Sequence, residues 1–123
     1  MKKILVVDHD RSIRELLQLH LSNAGYEALV AEDAIVAGRL ILQSVPDLMI
    51  VEVDMPFMNG IEFVATLKAD GRTRDIPVVF LGSNADFDDL ARGVGAVAFL
   101  TKPVYADRLL EIVAKRLRPK TRK

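Results

Sequence analysis

Short apolar runs alternate along the chain with longer stretches of helical period. Ile4–Val7 is apolar at every position, the pattern of a strand buried on both faces, and it ends abruptly in Asp8-His9-Asp10. Ile13, Leu16, Leu17, Leu21 and Ala24 then recur at three- and four-residue steps, which predicts one buried face of a helix closed at Gly25. Tyr26–Ala31 reads as a second strand, and Val36, Ala37, Leu40 and Ile41 as the stripe of a second helix that stops before Pro46. Leu48–Val53 is a third strand, running into the turn Met55-Pro56-Phe57-Met58-Asn59-Gly60, whose Met and Phe side chains read as turn packing, with exposure of Phe57 as the alternative. Ile61, Val64 and Leu67 mark a third helix, ended near Asp70-Gly71. Val78–Leu81 is a fourth strand, Asp86 to Val94 a weaker fourth helix, and Ala98–Leu100 a fifth strand. Leu109, Ile112, Val113 and Leu117 complete a fifth helix, stopped by Pro119.

Five such pairs predict an α/β fold, one doubly wound domain whose parallel sheet is covered by helices on both sides. We bound it at residues 1–118 and read 119–123 as a basic tail or linker stub. The 123 residues, half of them hydrophobic, have ordinary globular composition. Charge changes the picture only near the end of the chain. The 17 basic and 17 acidic residues cancel, yet Lys115, Arg116, Arg118, Lys120, Arg122 and Lys123 put six positive charges into the last nine positions. The remaining body is acidic. No DNA-reading pattern accompanies the basic end, so nucleic-acid binding is not expected. The absence of cysteine excludes disulfides, a thiolate nucleophile and cysteine metal sites. Ile4–Val7 is too short for a signal peptide or for a membrane span of about 20 apolar residues, and a cytoplasmic protein is expected. Neither a nucleophile–histidine–acid arrangement nor a Gly-rich phosphate loop is visible, so an independent enzyme is not expected.

In open sheets of this kind the working site lies beyond the carboxyl ends of the strands. There the first strand delivers Asp8, His9 and Asp10, the third Glu52 and Asp54, the fourth Gly82 and Ser83, and the fifth Thr101-Lys102-Pro103. Two acids, a small or hydroxyl residue and a lysine converging on one rim make a pocket for a phosphoryl group or a cation. Asp10 reads as an N-cap of the first helix. His20, on the Leu16–Leu17 stripe, reads as a border histidine.

These strand ends resemble the receiver domains of bacterial response regulators. The resemblance rests on Ile4-Leu5-Val6-Val7-Asp8-His9-Asp10, on Glu52-Val53-Asp54-Met55-Pro56-Phe57-Met58-Asn59-Gly60, on Asp75-Ile76-Pro77 before the fourth strand, and on Gly95-Ala96 through Leu100-Thr101-Lys102-Pro103. It implies a flavodoxin-like strand order 2-1-3-4-5, a cis Lys102–Pro103 bond, and Phe99 as the switch aromatic. It also exposes three departures. Glu52 stands where the family carries its phosphoaccepting aspartate, and its extra methylene moves the carboxylate; placement errors of about 1 Å can cost about a hundredfold in rate. His9 stands for a magnesium-binding acid, although magnesium prefers oxygen ligands. Gly82 replaces a hydroxyl residue, with Ser83 one place late.

The resemblance therefore implies an atypical receiver, a protein-interaction module independent of aspartyl phosphorylation. A Glu52–Lys102 ion pair is expected to hold the pocket without metal, magnesium binding weakly at best through Asp8. The alternative is a conventional phosphoryl-accepting receiver using Asp54 or Glu52, or a chain into which Glu52 was introduced as a charge mimic. Partners are expected to be proteins of a bacterial signalling pathway, and a homodimer is possible through the face of helix four, strand five and helix five. Val94, Val97, Tyr105 and Arg108 are the residues expected to form that surface.

Overall fold

The computed structural model describes residues 1–117. The basic residues beyond that point and the Pro119 stop lie outside the described residues, as does the proposed tail. Within them the elements run β1 (Lys3–Val7), α1 (Arg11–Asn23), β2 (Glu27–Ala31), α2 (Ala34–Gln43), β3 (Leu48–Glu52), α3 (Gly60–Lys68), β4 (Val78–Gly82), a 3-10 turn (Ala85–Phe87), α4 (Asp88–Gly93), β5 (Ala98–Thr101) and α5 (Ala106–Arg116). All strand pairs are parallel, in the order β2-β1-β3-β4-β5. The Lys102–Pro103 bond is cis.

The central strands are apolar on both faces because helices cover both. In β1, Ile4 and Val6 pack with Leu17 and Leu21 of α1 and Leu109 and Val113 of α5. Leu5 and Val7 face the other layer, where Ala37 and Ile41 of α2 join Phe63 and Val64 of α3. Side chains of successive strand residues point to opposite faces, so a five-residue run serves both cores.

Short polar residues start three of the helices. Asp10, Asp33 and Asn59 each accept a hydrogen bond from a first-turn amide, at Ser12, Val36 and Glu62. Asp10 is thus the cap expected from the sequence.

Several expectations require correction. Leu16 is 48% exposed, because α1 turns Leu17 and Leu21 onto the sheet and leaves Leu16 about 100° around the helix. Ala24 is exposed beyond the end of α1. The fourth helix is not continuous from Asp86 to Val94. Asn84 caps a 3-10 turn through Asp86, and only the six residues Asp88–Gly93 are α-helical before Gly95 adopts φ +84°. Phe63, outside the stripe read for α3, carries one of its buried contacts. In the loop after β3 Met55 packs against the core, Met58 is exposed against expectation, and Phe57 takes the exposed alternative.

Candidate functional site

The parallel register that pairs Val7 with Val51 brings the ends of β1 and β3 side by side. Asp8 and Glu52 thereby become neighbours in a buried position, with side chains 0% and 3% exposed. Lys102, just past β5, reaches both. Its Nζ donates to Glu52 Oε1 at 2.9 Å and lies 3.1 Å from Asp8 Oδ2. The Asp8 contact is an ion pair without an aligned hydrogen bond, and Oδ2 has no hydrogen-bond partner among the described residues. Asp8 Oδ1 accepts from the Asp10 amide at 2.9 Å.

His9 closes the cluster from the solvent side. Its backbone N–H donates to Glu52 Oε2 at 2.7 Å, and its ring Nδ1 lies 2.6 Å from the same oxygen. Both Glu52 oxygens are therefore occupied from within the protein. The Glu52 carboxylate thus lies between His9 and Lys102. Two carboxylates, one ammonium and a protonated imidazole sum to zero charge.

The protonation behaviour follows from these contacts. Burial pushes Asp8 upward, with Glu52 adding to the rise and the Asp10 amide and Lys102 opposing it. Burial would raise Glu52 as well, but donors from His9 and Lys102 outweigh it and hold its carboxyl below the ordinary value. Burial would lower Lys102, and its two carboxylate partners reverse that, leaving it raised. His9 is raised chiefly by its bond to Glu52. A raised folded-state value means that imidazolium is favoured by folding. Its stabilising contribution is fully present below the unfolded value of about 6.5 and disappears as pH rises through the folded value. An NMR titration of the His9 ring should show this upward displacement, and Glu52→Gln should remove most of it. A His9 titration unchanged by Glu52→Gln would contradict the assignment.

Asp8, His9 and Glu52 present three donor atoms within 4.8 Å of one another. They do not fit magnesium. One donor is an imidazole, both Glu52 oxygens are engaged, and the Lys102 ammonium already serves as the cation between the carboxylates.

The remaining candidate residues are distributed differently. Asp54 and Ser83 are exposed and stand outside the ion-pair cluster. Gly82 is buried, and the Phe99 ring fills the space beside it: a Cβ at Gly82 would meet Phe99 Cζ at 2.8 Å. Phe99 is half-buried against the α2–α3 layer. Gly60 begins α3 against the end of β3, where a Cβ would overlap the Glu52 carbonyl oxygen. That close approach explains the glycine better than any turn preference.

Val94 and Val97 are half-buried and pack against the cores, so they are the floor of the proposed surface rather than its exposed part. Tyr105 is 72% exposed and Arg108 is exposed. Between α4, β5 and α5 lies a cleft of about 350 Å³ whose lining includes Ala91, Arg92, Val97, Phe99 and Arg108. His20 is half-buried on α1, outside the cluster. Sequence reasoning missed Arg14, whose Nη1 donates to the Asp8 carbonyl at 2.9 Å. Its place four residues after the Asp10 cap, on the first turns of α1, was the available signal. Arg92 in the cleft was also missed.

A family model described as the response regulator receiver domain matches residues 4–114. The phosphate regulon transcriptional regulatory protein PhoB of Pseudomonas aeruginosa is 39% identical over 116 residues, covering 93% of this chain and 49% of that protein. The DNA-binding dual master transcriptional regulator RpaA of Synechocystis is 35% identical over 96% of this chain and 50% of its own length. The chain thus spans about half the length of these curated relatives. Among solved structures, the chemotaxis response regulator CheY4 of Vibrio cholerae superimposes with a TM-score of 0.88 at 31% identity, covering 95% of this chain and 99% of that one. No helix among the described residues is long and apolar enough to cross a membrane.

Proposed function

The chain belongs to the response regulator receiver domain family, and from that premise we propose that it is an atypical receiver, a protein-interaction module that works without aspartyl phosphorylation. Receivers are signalling modules that meet partner proteins such as kinases and effectors. The observation that carries the finer reading is the saturation of Glu52: His9 holds one carboxylate oxygen twice and Lys102 holds the other. A carboxylate so engaged is poorly placed to attack a phosphodonor, and it fixes the pocket with a charge of −1 against roughly −1.5 to −2 for a phosphoryl group. Mimicry of a phosphorylated state is correspondingly partial.

The partner-facing element in this reading is the α4–β5–α5 face, where Tyr105 and Arg108 stand out above Val94, Val97 and Phe99. Tyrosine and arginine are enriched at binding hot spots. A homodimer through this face and a cytoplasmic setting belong to the same proposal. A conventional phosphoryl-accepting receiver is the competing reading, favoured by the similarity to PhoB regulators and by the exposed Asp54. Regulation of transcription and DNA binding, given by the relatives' names, belong to those relatives, of whose length this chain spans about half.

The test is the backbone amide NMR spectrum before and after addition of acetyl phosphate with magnesium. It should not change; shifts spreading through Glu52, Gly82 and Phe99 would favour the competing reading. In sedimentation experiments Tyr105→Ala should weaken self-association more than Glu52→Ala does, with unfolding free energy within about 1 kcal/mol of the parent. The reverse ordering would make the pocket, rather than the face, the functional element.

A further inference from the structure

Phe57 stands against two ordinary preferences. Its φ of +73° lies in the left-handed region that disfavours a large side chain, and the residue is 79% exposed. Among the described residues neither cost is offset by packing, since Phe57 joins neither buried core nor the half-buried side chains packed against them. Residues held in such conformations cluster where they serve a site.

Beside the Phe57 ring, a cleft of about 280 Å³ opens between the loops after β1, β2 and β3, lined by His9, Arg14, Glu32, Asp33, Pro56 and Phe57. It lies at the carboxyl ends of the strands where the strand order reverses, the place doubly wound sheets offer to ligands. Of its cationic groups, the His9 ring is balanced by Glu52, while Arg14 donates to the Asp8 carbonyl and keeps its charge, so Glu32 and Asp33 leave the cleft with one net negative charge. Of its acids, Glu32 is exposed, while Asp33 is buried and uses Oδ1 to cap α2, leaving Oδ2 to the cleft's charge balance. Asp54 and Glu62, both exposed, add negative charge on either side of the Phe57 loop.

We infer that this cleft docks a cationic side chain, Arg or Lys, that a protein partner presents next to an apolar residue. The Phe57 ring is the platform on which the cation stacks, and Glu32 and Asp33 are its counter-charges. A cation over an aromatic face is attracted by the ring quadrupole, and a guanidinium adds planar stacking. The apolar neighbour covers Pro56 and Met58, which are also exposed. This surface is separate from the α4–β5–α5 face and does not depend on whether Glu52 or Asp54 accepts a phosphoryl group.

The test titrates the isotope-labelled protein with a capped peptide of Ala, Leu and Arg and with its twin carrying Glu in place of Arg. The Arg peptide should shift the amides around Glu32, Asp33 and Phe57, and bind at least about tenfold more tightly than the Glu twin. Phe57→Asn and Glu32→Lys should each weaken it by about tenfold or more. Phe57→Asn should leave Tm unchanged or raise it, because Asn accepts a left-handed backbone more readily. Equal binding of the two peptides, or binding indifferent to Phe57→Asn, would overturn the proposal. So would a fall in Tm on Phe57→Asn, which would make the ring a structural element.

Discussion

Lys102→Met is expected to lower the unfolding free energy by about 3–5 kcal/mol, the range for removing one partner of a buried ion pair. The reason is the burial of what it leaves behind. Asp8 and Glu52 have side chains 0% and 3% exposed, and Lys102 contacts a carboxylate oxygen of each. Without the ammonium, two adjacent buried carboxylates must repel or take up a proton. Adding Glu52→Gln to Lys102→Met removes one of those charges and should recover part of the loss. The exposed i,i+4 pair Arg11–Glu15 is the internal control. Breaking it should change stability by about 1 kcal/mol or less. Urea unfolding of the three variants decides the matter, and a Lys102→Met loss comparable to the Arg11 control would remove the cluster's structural role.

Restoring the departed chemistry should have the largest functional effect. Glu52→Asp shortens the side chain that now bridges His9 and Lys102, His9→Asp replaces an imidazole by an oxygen donor, and Gly82→Thr supplies a hydroxyl. We expect the triple variant to accept a phosphoryl group from a small-molecule donor with magnesium, where the parent accepts none. Glu52→Asp alone should do little, because the imidazole and the missing hydroxyl remain. The Gly82→Thr component carries its own structural prediction. Its Cβ needs the volume now filled by Phe99, so the ring must move outward. Phosphorylation of the single variant to the same extent as the triple would show that His9 and Gly82 are bystanders.

Much of this architecture was legible because the strands are buried on both faces and so read as unbroken apolar runs. Ile4–Val7 and Val78–Leu81 differ from the observed strands by one residue each. Strand order was not carried by periodicity; it came from the resemblance at the strand ends. Helix α4 was misread because its limits depend on the Asn84 side chain and on Gly95, not on an apolar stripe. At the site, the resemblance at the strand ends together with the charge balance anticipated Glu52 opposite Lys102. The double hold of His9 on one Glu52 oxygen was not legible, since it depends on the β1–β3 register and on the length of the glutamate side chain. For Phe57 the sequence left packing and exposure both open, and the left-handed backbone and outward side chain decide for exposure.

The most direct measurement of the central claim is the intact mass of the unaltered domain after incubation with acetyl phosphate and magnesium. With Glu52 bonded at both oxygens and no magnesium-fitting site beside it, the mass should remain that of the unmodified chain. A stoichiometric gain of one phosphoryl group, lost on Asp54→Asn or Glu52→Gln, would contradict the account and identify the domain as a conventional receiver.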